Sequence, residues 1–336
     1  MAARPTLEDV ARAAGVSTAT VSRVLNAPAQ VRADTRRRIE EAIARLGYTP
    51  HFGGRALALG RTGTIGAVIP TMENAIFARG LQTLQETFAE AGMTLLIATS
   101  GYDLAREAGQ ISVLLSRGVD GLVLIGEARA DETYETLRRR RVPFVLMWTW
   151  RKDSPYVSIG FDNRAAARTM AQEVLDAGHR RIAMISGVTH GNDRAAQRVD
   201  GVRAAMEAHG LRLGPDALVE TAYDLDAGAA AAERLLRGHG PTAIICGNDV
   251  LAAGAVAGAN ACGLAVPEDV SVVGFDDIDL ARVVRPALTT VHVPHRRMGH
   301  QAASALLSMI AGHASEESLP LETHMVTRGS LAPPPR

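Results

Sequence analysis

The stretch TLEDVARAAGVSTATVSRVLN, Thr6 to Asn26, decides the fold of the amino-terminal part of the chain. Thr6, with Asp9 three residues later, forms a capping-box-like pattern that predicts a helix beginning at Leu7. Gly15 ends this helix, and Ser17 is the N-cap of a second one. Two short helices joined by a glycine-containing turn are typical of a helix-turn-helix.

The apolar residues of both helices recur at helical spacing, so each helix has one inward face. The inward positions are Leu7, Val10, Ala11, Ala14, Val21, Val24 and Leu25. A third helix is expected from about Ala33 to Leu46, with Gly47 as its C′ residue, and it closes a three-helix core. The outward face of the second helix offers side chains that can reach base edges and phosphates, namely Thr18, Ala19, Ser22 and Arg23.

Charge separates this amino-terminal part from the rest of the chain. The first 60 residues carry nine arginines and five acidic residues, a net charge of +4, and the remaining residues carry −4. A basic segment attached to a mildly acidic one favours a polyanionic partner for the basic segment alone.

This amino-terminal sequence resembles the lactose-repressor/galactose-repressor (LacI/GalR) family of transcriptional regulators. The resemblance needs no insertion or deletion, and it covers Thr6 to Asn26 and then VRADTRRRIEEAIARLGYTP, from Val31 to Pro50. The resemblance implies that Thr18 and Ala19 discriminate between bases and that Arg23 reads a guanine edge. It implies phosphate-positioning roles for Ser17, Thr20, Ser22 and Asn26. The expected partner is double-stranded operator DNA, and two further contacts are expected from Thr6 and Arg55.

The segment 50–61 corresponds to the family's hinge, which becomes a helix on DNA. Leu57 falls at the position of the leucine that wedges into the minor groove, and such insertion kinks the duplex. Gly53 and Gly54 replace the usual alanines, and each glycine costs about 0.8–1 kcal/mol in a helix. The hinge helix is therefore expected to order less readily, and the alternative interpretation is an unstructured glycine-rich linker.

Beyond the hinge, apolar strand-like runs alternate with helical patterns. Eight strands are expected, at Thr64–Pro70, Met93–Thr99, Val119–Ile125, Val142–Met147, Arg181–Ser186, Leu218–Thr221, Thr242–Cys246 and Ser271–Phe275. Near-continuous apolar strands separated by helices indicate parallel sheets covered on both faces. The expected fold class is α/β with two doubly wound lobes, and a ligand should lie between them at the carboxyl ends of the strands.

The family resemblance continues through blocks such as GFDNRAAA, ICGNDVLAAGA and PEDVSVVGFDD, and implies a two-lobed domain like the periplasmic binding proteins. The effector contacts that it implies are Ile76, Phe77, Trp148, Thr149, Arg194, Arg198, Tyr223, Asn248 and Asp276. Aromatic faces and hydrogen-bonding groups favour a sugar or sugar acid as the effector. A purine or nucleoside is the alternative, because aromatic walls also stack bases.

The resulting organisation has a DNA-binding domain at 1–49, a hinge at 50–61 and an effector-binding and dimerisation domain at 62–336. The first lobe is expected at about 62–161 and 292–320, and the second at about 162–291 and 321–330. The chain is expected to cross between the lobes near Phe161, Val291 and Leu321.

Two alternatives to a transcriptional regulator are a doubly wound enzyme and a sugar-transport receptor. A doubly wound enzyme is disfavoured, because no dinucleotide-binding, Walker or G-x-S-x-G motif is present. A sugar-transport receptor is disfavoured by the helix-turn-helix and by the lack of an evident secretory signal. No cofactor and no metal are expected, since the spacing of His292, His295 and His300 matches no standard zinc site.

The carboxyl terminus indicates the expected oligomeric state, and the apolar run Val250 to Pro267 indicates whether the chain could enter a membrane. The chain ends in three prolines before Arg336, which cannot form the heptad tail of the family's tetramers, so a homodimer is expected. Val250 to Pro267 is rich in alanine and glycine and is better explained as a buried helix than as a membrane span. A cytoplasmic location is expected.

Overall fold

The computed structural model describes residues 5–49, 61–73, 75–313 and 317–335, with the side chain of Asn26 excepted. The chain forms two compact units that meet between Gly63 and Thr64. We call the unit up to Gly63 the head and the unit from Thr64 onward the body.

The head contains the expected three helices and a short 3₁₀ turn at Pro28–Gln30. The helices are α1 (Leu7–Ala14), α2 (Thr18–Asn26) and α3 (Ala33–Leu46). Their fully buried core consists of Val10, Ala11, Ala14, Val21, Val24, Ile39, Ala42 and Tyr48. The helix-turn-helix prediction is confirmed, and Tyr48 is a core residue that the helical spacing did not include.

Local hydrogen bonds explain where α1 and α2 begin. The Thr6 side chain accepts a hydrogen bond from the Asp9 backbone N–H, and the Asp9 carboxylate accepts one from the Thr6 backbone N–H at 2.9 Å. Ser17 caps α2 by accepting a hydrogen bond from the Thr20 N–H. Gly15 adopts a left-handed φ of 62° between the helices, a conformation in which glycine carries no Cβ penalty.

The body contains twelve strands within its described residues. In chain order they are β1 (Thr64–Ile69), β2 (Thr94–Thr99), β3 (Gly121–Ile125), β4 (Phe144–Met147), β5 (Ser158–Gly160), β6 (Ile182–Gly187), β7 (Leu218–Thr221), β8 (Ala243–Cys246), β9 (Ser271–Asp276), β10 (Thr289–His292), β11 (Leu319–Pro320) and β12 (His324–Val326). They form two six-stranded sheets, in the orders β11-β5-β4-β3-β1-β2 and β12-β10-β9-β8-β6-β7. All neighbouring pairs are parallel except β10 and β12.

Helices connect these strands and cover the sheets. They are α4 (Ala78–Glu90), α5 (Leu104–Ser116), α6 (Asp131–Arg140), α7 (Asn163–Asp176), α8 (Asp193–Ala208), α9 (Leu225–Gly238), α10 (Asp249–Ala261), α11 (Leu280–Val283) and α12 (His295–Ile310). The 3₁₀ turn Pro215–Ala217 precedes β7. We call the first sheet with its helices the first lobe and the second sheet with its helices the second lobe. This is the two-sheet α/β fold that the apolar strand pattern predicted.

The chain passes between the two sheets three times. It leaves the first sheet after β5, returns to the first lobe after β10, and crosses again between β11 and β12. β5 and β11 lie at one edge of the first sheet, β10 and β12 lie at one edge of the second, and β2 and β7 form the opposite edges. We call the side of the cleft next to the carboxyl ends of β2 and β7 its mouth.

Candidate functional site

The exposed face of α2 carries the side chains expected to read DNA. Thr18, Ala19 and Arg23 are exposed, and Ser22 is partly buried. Ser17 and Thr20 are joined by a hydrogen bond of 2.9 Å between their hydroxyl oxygens, which fixes the start of the helix. Among the described residues the Arg23 guanidinium has no hydrogen-bond or ion-pair partner, so it can bind an acceptor outside the chain.

Three of the expected DNA contacts cannot be located. Arg55 and Leu57 lie outside the described residues, and so does the side chain of Asn26. Thr6 is exposed at the start of α1 and forms the capping hydrogen bonds with Asp9.

The expected effector residues gather where strands of both sheets end. Trp148 and Thr149 follow β4, Asn248 follows β8, and Asp276 ends β9. Arg194 and Arg198 lie on the first turns of α8, Tyr223 follows β7, and Ile76 and Phe77 precede α4. We call the group formed by Trp148, Thr149, Arg194, Arg198, Asn248 and Asp276 the inner cluster.

Asp276 is the most unusual group in the inner cluster. It is fully buried, its φ is 105°, and neither carboxylate oxygen has a hydrogen-bond partner among the described residues. The nearest countercharge is the Arg198 guanidinium, whose Nη2 lies 3.8 Å from Oδ1. Burial raises the pKa of Asp276 to about 7, and the charge of Arg198 lowers it only in part.

Arg198 is held beside this carboxylate by groups of the second lobe, and one of them, Asn163, also contacts the first lobe. Its Nε donates to Asn163 Oδ1 at 2.9 Å, and its Nη1 donates to the Gly247 carbonyl at 2.6 Å. The guanidinium carbon lies 3.8 Å from the centre of the Phe275 ring, which is a cation–π contact. Asn163 in turn donates to the Trp148 carbonyl of the first lobe at 2.9 Å. The arginine is thus held by both polar and aromatic contacts, and its position is fixed.

A second contact between the lobes lies at the start of α8. The Asp193 carboxylate accepts a hydrogen bond from the Glu127 backbone N–H at 2.8 Å, and its other oxygen pairs with Arg194 Nη1 at 3.0 Å. A β-carbon at Gly126 would lie 1.8 Å from that Nη1 atom. A glycine is therefore required for the arginine to lie against the first lobe.

Trp148 does not offer an open ring face. Its ring is 1% exposed, meets the Phe77 ring edge-on at 5.1 Å, and lies against Gly80 of α4. A positive φ of 59° at Trp148 accompanies this inward placement. The indole N–H, rather than the ring face, is the part of Trp148 that has no hydrogen-bond partner among the residues that the structure describes.

Several buried polar atoms around the inner cluster have no hydrogen-bond partner in the described part of the chain. They are Trp148 Nε1, Thr149 Oγ1, Ser186 Oγ, Asn248 Nδ2, both Asp276 carboxylate oxygens and His295 Nδ1, with Arg129 Nε elsewhere in the first lobe. Buried polar groups in proteins are normally paired. A concentration of donors and acceptors from both lobes is suited to a small polar molecule that supplies the missing partners.

The sequence interpretation did not include Tyr102, Asn163, Ser186 or His295. Tyr102 follows β2 as Tyr223 follows β7, so a search for aromatic residues at strand ends would have indicated it. Its ring centre lies 5.6 Å from that of Tyr223 on the opposite lobe, and its φ is 63°. Burial holds the pKa of the His295 imidazole at about 4, so this side chain is neutral near pH 7.

A larger space opens beside the inner cluster at the mouth of the cleft. This cavity has a volume of about 720 Å³ and is lined by residues that follow β1 and β2 in one lobe and β6 and β7 in the other. We call it the outer cavity. Tyr102 and Tyr223 both line it.

Neither a metal site nor a membrane span is found within the described ranges. No cluster of three or more His, Cys, Asp or Glu residues there could hold a metal ion. None of the helices in the same ranges has the length and apolar character that a membrane span requires.

Models of two protein families match the chain. Residues 6–51 match the bacterial regulatory proteins of the lacI family, and residues 171–331 match a periplasmic binding protein-like domain. The first match covers the helix-turn-helix and the second covers most of the second lobe.

The chain is similar over nearly its whole length to proteins that are transcriptional regulators. The chain is 33% identical over 322 residues to catabolite control protein A of Priestia megaterium, covering 96% of this chain and 97% of the relative. It is 32% identical over 335 residues to the HTH-type transcriptional repressor PurR of Klebsiella pneumoniae subsp. pneumoniae, covering 98% of both chains.

Solved structures agree with these matches. The transcriptional regulator CelR–cellobiose complex superposes with a TM-score of 0.70 at 32% identity, over 97% of this chain and 100% of that chain. The Lac repressor dimer bound to operator and an anti-inducer superposes with a TM-score of 0.85 at 26% identity, over 98% and 100% of the two chains. The chain therefore belongs to the LacI family of bacterial regulatory proteins and is a DNA-binding transcriptional repressor, not an enzyme.

Proposed function

We propose that this repressor is controlled by a sugar or sugar acid that binds in the inner cluster between the two lobes. The observation that carries this proposal is the buried Asp276 carboxylate, whose two oxygens have no hydrogen-bond partner in the described ranges and whose Oδ1 lies 3.8 Å from Arg198 Nη2. A sugar hydroxyl can donate to that carboxylate and accept from the arginine at the same time. The unpartnered amide N–H of Asn248 and indole N–H of Trp148 supply further donors.

The two arginines distinguish a neutral sugar from a sugar acid. Arg198 already donates to Asn163 and Gly247, whereas the one partner of the Arg194 guanidinium within the described part of the chain is the neighbouring Asp193. A carboxylate can therefore compete for Arg194 in a bidentate arrangement. The similarity to a regulator solved as a cellobiose complex also favours a carbohydrate.

Control of DNA binding requires that the effector prefer one arrangement of the lobes. The inner cluster combines side chains of both lobes, so a ligand that pairs with all of them stabilises the closed arrangement. The linkage runs through the three crossings and then the segment 50–61. In that segment we propose that Leu57 wedges into the minor groove, with Arg55 beside it on the DNA.

The remaining functional assignments are part of the same proposal. The unit that acts is a cytoplasmic homodimer, with one α2 helix in each half of a roughly palindromic operator. Thr18, Ala19 and Arg23 read bases, while the polar residues around them position the phosphates. The DNA-binding domain, hinge and effector domain have the limits 1–49, 50–61 and 62–336.

A ligand screen followed by DNA titration tests the proposal. Thermal shift with sugars and sugar acids should identify compounds that stabilise the body, since ligands that bind only the native state raise its stability. Each hit should change operator affinity in fluorescence anisotropy. Asp276→Ala should abolish this change while sparing DNA binding, and Asp200→Ala, an exposed carboxylate on α8, should retain it. If Asp276→Ala binds the ligand as tightly as the parent does, Asp276 is not part of the effector site.

A purine or nucleoside is the second candidate, favoured by the contact between Tyr102 and Tyr223. Two aromatic rings from opposite lobes, with centres 5.6 Å apart, mark a place where a base could stack after a small opening. Adenine, guanine and their nucleosides belong in the same screen. If only these bind, the sugar proposal is wrong and the ligand-controlled repressor remains.

A further inference from the structure

We infer that the outer cavity is a second subsite of the effector site and that Tyr102 is its specificity-determining residue, so that the effector is a disaccharide or a disaccharide acid. This inference rests on the proposed function, which places the first sugar unit in the inner cluster. The steps below concern what lies next to that unit.

The inner cluster and the outer cavity are arranged in sequence across the sheets. Four members of the inner cluster lie at the carboxyl ends of β4, β8 and β9, and its two arginines lie on α8, which follows β6. The outer cavity is built at the ends of β1, β2, β6 and β7. Tyr102 borders both regions, because it lines the outer cavity and also a small space of about 20 Å³ beside Arg194. A ligand that extends from Arg194 into the outer cavity would therefore lie against this side chain.

The backbone holds Tyr102 in one orientation. The preceding residues are fixed to the end of β1, since Ser100 N–H donates to the Ile69 carbonyl at 2.9 Å and Gly101 N–H donates to the Pro70 carbonyl at 2.7 Å. The following residue, Asp103, caps α5 by accepting from the Arg106 N–H at 2.8 Å. A tyrosine held between these anchors at a φ of 63° is a strained arrangement of the kind that clusters at ligand sites.

The space beyond Tyr102 fits one further sugar unit or more. Its volume of about 720 Å³ falls within the range of roughly 300–1,000 Å³ that is usual for pockets of small-molecule ligands. At about 30 Å³ for each water, it corresponds to about two dozen water molecules. A single sugar ring in the inner cluster would leave this volume unused.

The charges around the outer cavity determine which end of the ligand enters it. Its described lining includes Glu73, Asp103 and Asp224 but no lysine or arginine. An anionic group is repelled there, while hydroxyl groups find carboxylate acceptors. The neutral unit therefore lies outside, and an acidic group, where the effector has one, lies inside against Arg194.

Titration calorimetry with matched one-unit and two-unit probes tests this assignment. The probes are glucose and cellobiose, gluconate and cellobionate, and adenine and adenosine. With the parent protein, cellobiose or cellobionate should bind at least tenfold more tightly than its one-unit counterpart. Tyr102→Ala should weaken the two-unit sugar at least tenfold and leave the one-unit sugar within twofold. Tyr102→Phe, which keeps the ring, should have a smaller effect.

A second variant fills the cavity without touching the inner cluster. Ala105 is exposed in the first turn of α5 and lines the outer cavity. Ala105→Trp should therefore remove the preference for the two-unit sugar. Ala230→Trp, at an exposed position of α9 outside the lining, is the matched control and should bind like the parent.

The outcomes separate this inference from the proposed function. If one-unit and two-unit sugars bind equally and both variants leave that unchanged, the second subsite is wrong and the sugar-controlled repressor stands. If only adenine or adenosine binds, the sugar proposal and this inference are both wrong. Failure of all six probes to bind also overturns both.

Discussion

The head and the body present their functional side chains in opposite ways. On α2 of the head, Thr18 and Arg23 are exposed, and they are placed by one helix whose cap is local. In the body, Arg198 and Asp276 are 5% and 0% exposed, and they are brought together by elements far apart in the chain. A surface that reads DNA gains from free charge, because its partner supplies the countercharges. A site for a small molecule must exclude water, so its polar groups are buried and depend on one another.

The largest expected effect follows from that dependence. Arg198→Ala would remove the guanidinium that faces Asp276 and would leave the buried acceptor oxygens of Asn163 and Gly247 without their donor. A buried polar group left without its partner typically costs about 1–3 kcal/mol, so the free energy of unfolding should fall by about 3–5 kcal/mol for the two groups together. Urea denaturation followed by circular dichroism measures it.

A matched arginine on the same helix provides the control. Arg203 is exposed and forms a surface ion pair with Asp200 at 3.8 Å, so Arg203→Ala should cost less than about 0.5 kcal/mol. Equal losses in the two variants would mean that burial does not distinguish the inner cluster from the surface.

The next effect is a pH dependence confined to the body. Because burial raises the pKa of Asp276 to about 7, the folded state keeps a proton that the unfolded chain has already released above its ordinary value of 3.8. The resulting stabilisation is complete at low pH and is lost as the pH rises through 7. Relative to Asp276→Asn, the parent should lose about 3 kcal/mol of unfolding free energy between pH 5 and pH 8, because about two pH units of that range lie below the folded-state pKa and each is worth about 1.4 kcal/mol.

The comparison with Asp276→Asn is needed because a neighbouring group acts in the opposite direction. Burial lowers the pKa of His295 to about 4, so its contribution is present above the ordinary value of 6.5 and is lost as the pH falls toward 4. Taking the difference between the parent and the variant removes most of this contribution. A difference that does not change with pH would show that Asp276 is not buried in its neutral form.

The head and the body also differ in how far their sequences could be interpreted. The bounds of α3 follow from local signals alone, the helical spacing and the terminal Gly47. The eight predicted strands of the body are also found, but β5, β10, β11 and β12 were not predicted. These strands have two to four residues each, and β11 exists because Leu319 pairs with Ile159, which no local pattern reveals.

The same limit applies within the candidate site. Asn248 and Asp276 could be named from the family resemblance, and they lie close together because the carboxyl ends of parallel strands share one edge. Asn163 could not, since its role depends on meeting the Arg198 side chain from another helix. The inward placement of the Trp148 ring accompanies a positive φ at that residue, which the sequence does not indicate.

In the head, the expected effect is on recognition rather than stability. Arg23→Ala removes an exposed side chain that has no partner among the described residues, so folding should be unaffected. Loss of a base contact should cost about 1–3 kcal/mol of operator binding and relax the preference at one base pair. Binding to a randomised operator library measures both. Arg37→Ala on α3 is the control. If Arg23→Ala binds the operator as tightly and as selectively as the parent, Arg23 does not read a base.

The smallest effect tests whether glycine serves different purposes in the two units. A β-carbon at Gly15 would meet no atom within 4 Å, but the residue's φ is 62°. Gly15→Ala should therefore cost about 1–2 kcal/mol of head stability through backbone strain alone. Asparagine tolerates this left-handed conformation, so Gly15→Asn should recover much of the loss. In the body, a β-carbon at Gly187 would lie 2.1 Å from the Tyr223 ring, so substitution by alanine or asparagine should displace that ring. Thermal unfolding measures the effect at Gly15, and effector affinity measures the effect at Gly187. If asparagine rescues Gly15 but not Gly187, the head's glycine is needed for its backbone angle and the body's glycine for space. Equal rescue at both positions would contradict that distinction.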